Sequence, residues 1–170
     1  AGSGEHIVST ASIYSGTRIL FDRTFARMGV TVEYVWDPTD EVEWDSLIRP
    51  ETKAVFTETL PNPKNDIVDI AAVARIAKRH GIPLVVDNTI ATPFLVRPIE
   101  QGADIVVHSA TKFLSGHGAN LAGAVVDGGT FDWVASDRSY PALTDTPIAT
   151  HRSLVDAFGT RAFELSLRFG

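Results

Sequence analysis

The chain has 170 residues, 44% of them hydrophobic and 21% charged, the composition of an ordinary soluble domain able to bury one continuous core. A formal charge of -6 and a sequence pI near 5.3 argue against a nucleic-acid partner, because such binders carry a clustered basic face and here Lys and Arg are scattered singly. The lack of cysteine excludes a disulfide framework, a thiolate nucleophile and a cysteine-based zinc site, and no apolar run approaches the roughly 20 residues of a membrane span. A cytoplasmic setting, with no metal, membrane or nucleic-acid partner, is the expectation.

In chain order, the opening Ala1-Gly2-Ser3-Gly4 lacks Met and stands directly before a strand-like stretch, so a fragment is the expectation, treated as one domain, 1–170. Residues 6–9 form the first of six short runs rich in β-branched residues and read as a buried strand. A helix is expected over 17–28, then strands over 30–35 and 54–57. The clearest helix runs over 67–80, where Ile67, Ile70, Ala71, Ala74 and Ala77 share one face. Asp66 is its expected N-cap, Arg75, Lys78 and Arg79 crowd its last turns, and Gly81 with Pro83 stops it. Strands follow over 84–86, 105–107 and 122–126, and a last helix over 153–168. Strands alternating with helices imply parallel pairing through right-handed crossovers, hence an α/β fold with a mostly parallel sheet flanked by helices.

Ligands of open α/β sheets sit outside the carboxyl ends of the strands. There the sequence places Glu58 and Asn62 after the third run, Asp87 and Asn88 at the end of the fourth, and Ser109, Thr111 and Lys112 after the fifth. Asp87 closes an apolar strand, and a poorly solvated carboxylate needs a cationic or donor partner. Lys112 at a crevice floor would lose its proton more readily than in water and can form a Schiff base with a carbonyl. Ser109 and Thr111 flank it at spacings suited to a phosphate. An aldehyde-bearing phosphate with a ring nitrogen that needs an acid partner describes pyridoxal 5'-phosphate (PLP). Each residue also has an ordinary reading: Asp after a strand as a turn former, Lys in a loop as a solvated charge, Ser and Thr as turn residues.

The stretch Val85-Val86-Asp87-Asn88-Thr89-Ile90-Ala91-Thr92-Pro93, followed by Gly102-Ala103-Asp104-Ile105-Val106-Val107-His108-Ser109-Ala110-Thr111-Lys112-Phe113, closely resembles the signature of the Cys/Met-metabolism PLP-dependent enzymes of fold type I. Ile13-Tyr14-Ser15-Gly16-Thr17 and Glu58-Thr59-Leu60-Pro61-Asn62-Pro63 resemble two further elements of that family, in its order. The resemblance implies the core of the aspartate aminotransferase-like large domain. It implies that Lys112 holds PLP as a Schiff base, Asp87 pairs with the ring nitrogen, Ser109 and Thr111 hold the phosphate, Tyr14 stacks on the ring, and Asn62 bonds the ring hydroxyl oxygen. Lys112, Asp87 and Tyr14 are the implied catalytic residues, while Glu58 is left between a functional and a structural role.

Ser115-Gly116-His117-Gly118-Ala119-Asn120 and the segment from Asp156 to Phe163 are similar to the O-acetylhomoserine sulfhydrylase branch. That branch implies γ-replacement, forming homocysteine from O-acetylhomoserine and sulfide in methionine biosynthesis by a homotetramer. Cystathionine γ-synthase, cystathionine γ-lyase and methionine γ-lyase are the alternatives within the family. Ser15 and Leu60-Pro61 depart from the family pattern, and the family's upstream phosphate loop and C-terminal domain do not appear, so the piece by itself is expected to be inactive. Two rivals from other classes are weighed. Ser109-Ala110-Thr111-Lys112 matches the Ser-x-x-Lys of penicillin-recognising enzymes but lacks its partner motifs. A non-enzymatic α/β interaction module is distinguished by the absence of a cofactor absorption band.

Overall fold

The computed structural model describes residues 1–147 and 151–169. All six apolar runs are strands: β1 His6–Thr10, β2 Thr31–Val35, β3 Thr52–Glu58, β4 Leu84–Asp87, β5 Ile105–Ser109 and β6 Gly123–Asp127. They form one sheet in the order β2-β1-β3-β4-β5-β6. The first five are parallel. β6 is antiparallel to β5, because no crossover helix carries the chain back to the start of the sheet between them. The expectation that all six are buried fails at the two edges, β2 and β6, where most residues are half-buried or exposed. An edge strand has a neighbour on one side only.

The helices are α1 Ser15–Ile19, α2 Glu41–Leu47, α3 Ile70–Arg79, α4 Thr92–Leu95, α5 Pro141–Thr144, α6 Leu154–Phe158 and α7 Ala162–Phe169. Among the described residues, none is long and apolar enough to cross a membrane. The expected helix over 17–28 begins earlier, at α1, and widens into a π-helical stretch, Leu20–Phe25, which periodicity of 3.6 does not register. The expected helix over 153–168 is split, because Gly159 adopts φ 56 between α6 and α7 and only glycine takes that backbone cheaply. Ser153 caps α6 through a reciprocal capping box with Asp156.

The expected start of α3 is also corrected. Asp69, not Asp66, is its N-cap and accepts the Ala72 N–H at 2.9 Å. Asp66 instead pairs with Lys64 at 3.1 Å, and Ile67 is 75% exposed rather than on the apolar face. Asp66 and Asp69 lie one helical turn apart, so both fit the polar position before an apolar stripe, and only the backbone direction separates them.

Two apolar layers cover the sheet. On one face Val8, Val55, Leu84, Val86 and Val106 pack against Trp44 of α2 and Ile70, Val73, Ile76 and Ala77 of α3. On the other, Val85, Ile105 and Val107 meet Trp133, Leu143, Leu154 and Phe163 from the last third of the chain, and Phe56 meets Phe21 edge-on at 5.3 Å between ring centres. This two-layer arrangement is what aims the strand ends. The capping assignment predicts that Asp69→Ala lowers unfolding free energy by about 1 kcal/mol, whereas Asp66→Ala changes it by less than about 0.5 kcal/mol, both read from urea midpoints.

Candidate functional site

Side chains alternate across a strand, and this decides which polar residues meet. β3 sends Val55 to the α2–α3 layer and Phe56 to the other, so Glu58 falls on the Phe56 face. β4 sends Leu84 and Val86 to the α2–α3 layer and Val85 to the other, so Asp87 falls with Val85. β5 sends Val106 one way and Val107 the other, so Ser109 shares that second face. Glu58, Asp87 and Ser109 therefore stand on three adjacent strand ends of one face, with Glu58 and Asp87 in direct register. His108, one residue earlier, is buried on the opposite face with its Nδ1 3.1 Å from the Asn88 carbonyl.

Glu58 is 6% exposed. Its Oε1 accepts the Tyr14 N–H at 2.8 Å. Burial pushes its carboxyl up to about 7, against the backbone N–H of Tyr14, and neighbouring Asp87 adds to the rise while the Asn62 N–H opposes it. Asn62 itself is exposed and precedes a cis bond to Pro63. Tyr14 immediately precedes α1 with its side chain 52% exposed, and its ring lies directly over Gly16, where a Cβ would overlap Cε1.

Asp87 is half-buried, and its donors come from Thr89, not from a cation. Oδ1 accepts the Thr89 N–H at 2.8 Å and also the Thr89 hydroxyl. The same hydroxyl oxygen accepts the Ser109 N–H at 2.8 Å, so Thr89 joins the ends of β4 and β5. Among the described residues, Asp87 Oδ2 and the Ser109 hydroxyl have no hydrogen-bond partner.

The expectation of Lys112 at a crevice floor is corrected: its side chain is exposed, because the loop after β5 runs past the end of the sheet. The loop is nonetheless held. The Lys112 N–H donates to the Ser109 carbonyl at 3.2 Å, and the Ser115 hydroxyl reaches the carbonyls of Thr111 and Lys112 at 3.0 and 3.2 Å. The Thr111 hydroxyl donates to the Ala122 carbonyl at 3.2 Å and accepts its N–H at 3.1 Å, so it reaches another ligand only by exchanging these bonds. A cleft of about 340 Å³ is lined by Thr111, Lys112, Phe113, Gly116 and Gly118. Two larger cavities, of about 630 and 580 Å³, lie elsewhere and include none of Tyr14, Asn62, Asp87, Ser109, Thr111 and Lys112, so size does not locate the chemistry.

The Cys/Met metabolism PLP-dependent enzyme family matches residues 1–162. The chain belongs to that family. Pyridoxal phosphate is thus its cofactor, and the family's mostly parallel sheet is the one seen here. The chain is 46% identical to the O-acetyl-L-homoserine sulfhydrylase of Corynebacterium glutamicum over 100% of its own length and 40% of that protein's. It is 48% identical to the protein of the same name from Leptospira meyeri, over 77% of this chain and 29% of that one. A solved O-acetylhomoserine (thiol)-lyase of Campylobacter jejuni, which carries a pyridoxyl-lysine phosphate, superposes with a TM-score of 0.86 at 33% identity, over 99% of this chain and 43% of that one. The cystathionine gamma-lyase of Lactobacillus plantarum gives 0.72 at 38% identity, over 75% of this chain and 33% of that one. The chain thus spans at most about two-fifths of the curated relatives named here.

Sequence reasoning named Asp87 and Ser109 but missed Thr89, the link between them, although an Asp bonding its own backbone two residues on is a known turn signal. It also missed Ser115. Thr89→Val is expected to cost about 1–3 kcal/mol of stability, since it leaves a carboxylate oxygen and an N–H short of a partner; an unchanged urea midpoint contradicts the link. Glu58 has a second consequence. Its folded pKa lies above its ordinary value, so the folded state binds the extra proton between about pH 4.5 and 7, and the stability this gives is full below that window and lost as pH rises through it. The stability difference between wild type and Glu58→Gln should therefore move against wild type from pH 4.5 to 7.5, and a difference flat with pH contradicts it.

Proposed function

We propose that the chain is the cofactor-binding core, residues 1–170, of an enzyme that makes homocysteine from O-acetylhomoserine and sulfide with release of acetate. The observation that carries this reading is the single sheet face on which Asp87 Oδ2 and the Ser109 hydroxyl stand without protein partners, beside the loop of Lys112, in a chain close to half identical to O-acetyl-L-homoserine sulfhydrylases. The donor set fits PLP. An acid with one bare oxygen at a sheet edge suits a protonated ring nitrogen, the unpaired Ser109 hydroxyl suits a phosphate oxygen, and an amine that has no carboxylate partner among the described residues suits a covalent link.

When bound, pyridoxal phosphate supplies an aldehyde that condenses with amines and a protonated ring that takes up the electron pair left by a departing α-proton. The chain's own residues do the rest. Asp87 holds the proton on the ring nitrogen through Oδ2, while Thr89 fixes its other oxygen. Ser109 donates to the phosphate, and Thr111 joins it if it gives up Ala122. Tyr14, braced on Gly16, offers its ring face for stacking, and Asn62 hydrogen-bonds the ring hydroxyl oxygen. Lys112 would be the attachment point, and its free amine would take the α-proton and carry protons to neighbouring carbons. The carbon–oxygen bond to acetate breaks at the γ-carbon, and the new carbon–sulfur bond forms at the same atom.

The full-length protein is proposed to be cytoplasmic and a homo-oligomer, a tetramer in line with the family. Phe94, Leu121 and Phe113, on the connections that surround this edge, are 91%, 94% and 64% exposed, which supports an associating surface. The likeness to a cystathionine gamma-lyase gives the second reading, elimination without added thiol.

The test is borohydride reduction of the PLP-loaded full-length protein followed by peptide mapping and a substrate assay. The reduced cofactor is expected on the peptide containing Lys112, and homocysteine is expected to form only when O-acetylhomoserine and sulfide are both present. Lys112→Ala should lower kcat by at least about 10³-fold, the loss of a nucleophile that is also the base. Cofactor trapped on another lysine overturns the site, and breakdown of substrate independent of sulfide supports the lyase reading.

A further inference from the structure

Glu58 is a buried carboxylate, and among the described residues the charged group that acts on it is Asp87, of the same sign. Removing such a group from water is costly, and an apolar residue would close the end of β3 without that cost. What an apolar residue could not do is accept an N–H group from another connection. Glu58 takes the Tyr14 N–H, from the segment after β1, at 2.8 Å. Tyr14 is the residue that lies on the face of the cofactor ring in the reading above.

We infer that Glu58 is a positioning residue, whose carboxylate ties the Tyr14 backbone to the end of β3 and so sets one wall of the slot into which the cofactor ring fits. It acts through that backbone group and does not touch the ring. The Tyr14 side chain is half exposed, so packing alone does not fix it. Gly16 complements the tie, because the Tyr14 ring can settle only onto a residue without a Cβ. The inference rests on the reading of this edge as the PLP site.

The test uses the full-length protein with Glu58→Met, which fills the space but accepts no N–H, and Glu58→Gln, which keeps an acceptor oxygen. PLP affinity is measured by absorption titration, the asymmetry of the bound ring by its induced circular dichroism, and folding by melting of the cofactor-free forms. Glu58→Met is expected to melt at or above the wild-type temperature, yet to bind PLP at least about tenfold more weakly, the loss of a hydrogen bond to a charged group, and with a diminished dichroic band. Glu58→Gln is expected to recover the band and most of the affinity. Wild-type affinity and dichroism in Glu58→Met overturn the inference, as does a loss of binding matched by a loss of folding in the cofactor-free form. Failure of the wild type to bind PLP overturns the cofactor reading itself, and the inference with it.

Discussion

Two carboxylates side by side on adjacent parallel strands are the constraint around which this structure is arranged. Glu58 and Asp87 are in direct register, point to the same face, and among the described residues neither is paired with a lysine or arginine. Like charges at such spacing oppose each other's ionisation. The chain answers in two ways. Glu58 is buried and given the backbone N–H of Tyr14, and its carboxyl rises to about 7, so it carries a proton part of the time near neutrality. Asp87 receives both donors of Thr89 on one oxygen and keeps the other bare. An acid held this way favours a cationic partner arriving from outside, and a protonated ring nitrogen is such a partner.

The rest of the fold serves to keep those strand ends in place. The central strands are fixed from below by the layer of α2 and α3 around Val55, Leu84 and Val86, and from above by Phe56 on Phe21 and by Val85 and Val107 against Trp133 and its neighbours. Burial of this kind is worth roughly 1.5–3 kcal/mol for each fully enclosed aliphatic side chain, enough to offset the cost of bare polar groups at the edge. In the loop directly after β5 hydrogen bonds hold the chain: Ser115 on Thr111 and Lys112, and Thr111 on Ala122. Lys112 is accordingly exposed, while Asp87 and Ser109 are held at the ends of β4 and β5.

Much of this was legible in the residues. All six strands follow from β-branched runs, and for the buried parallel strands at the centre of the sheet this composition survives without any knowledge of neighbours. The helix at α3 was legible in type but not in start, since Asp66 and Asp69 differ only in backbone geometry. The π-helical widening after α1 and the break at Gly159 leave no mark on a pattern of 3.6. The placement of Asp87 and Ser109 at strand ends was legible, but their sharing of one face with Glu58 depends on the registers of three strands, and Thr89 as their link depends on two strands meeting. Tertiary contact of this sort has no local signature. The exposure of Lys112 was missed for the same reason: a lysine after a strand looks alike in sequence whether a wall faces it or not.

The bond between Asp87 and the ring nitrogen is the centre of the account, and nitrogen-15 NMR of ring-labelled PLP bound to the full-length protein reads it directly. The account predicts a chemical shift of a protonated pyridine nitrogen in the wild type, and of an unprotonated one in Asp87→Ala at the same pH. An unprotonated nitrogen in the wild type, or a shift unmoved by the substitution, would contradict it.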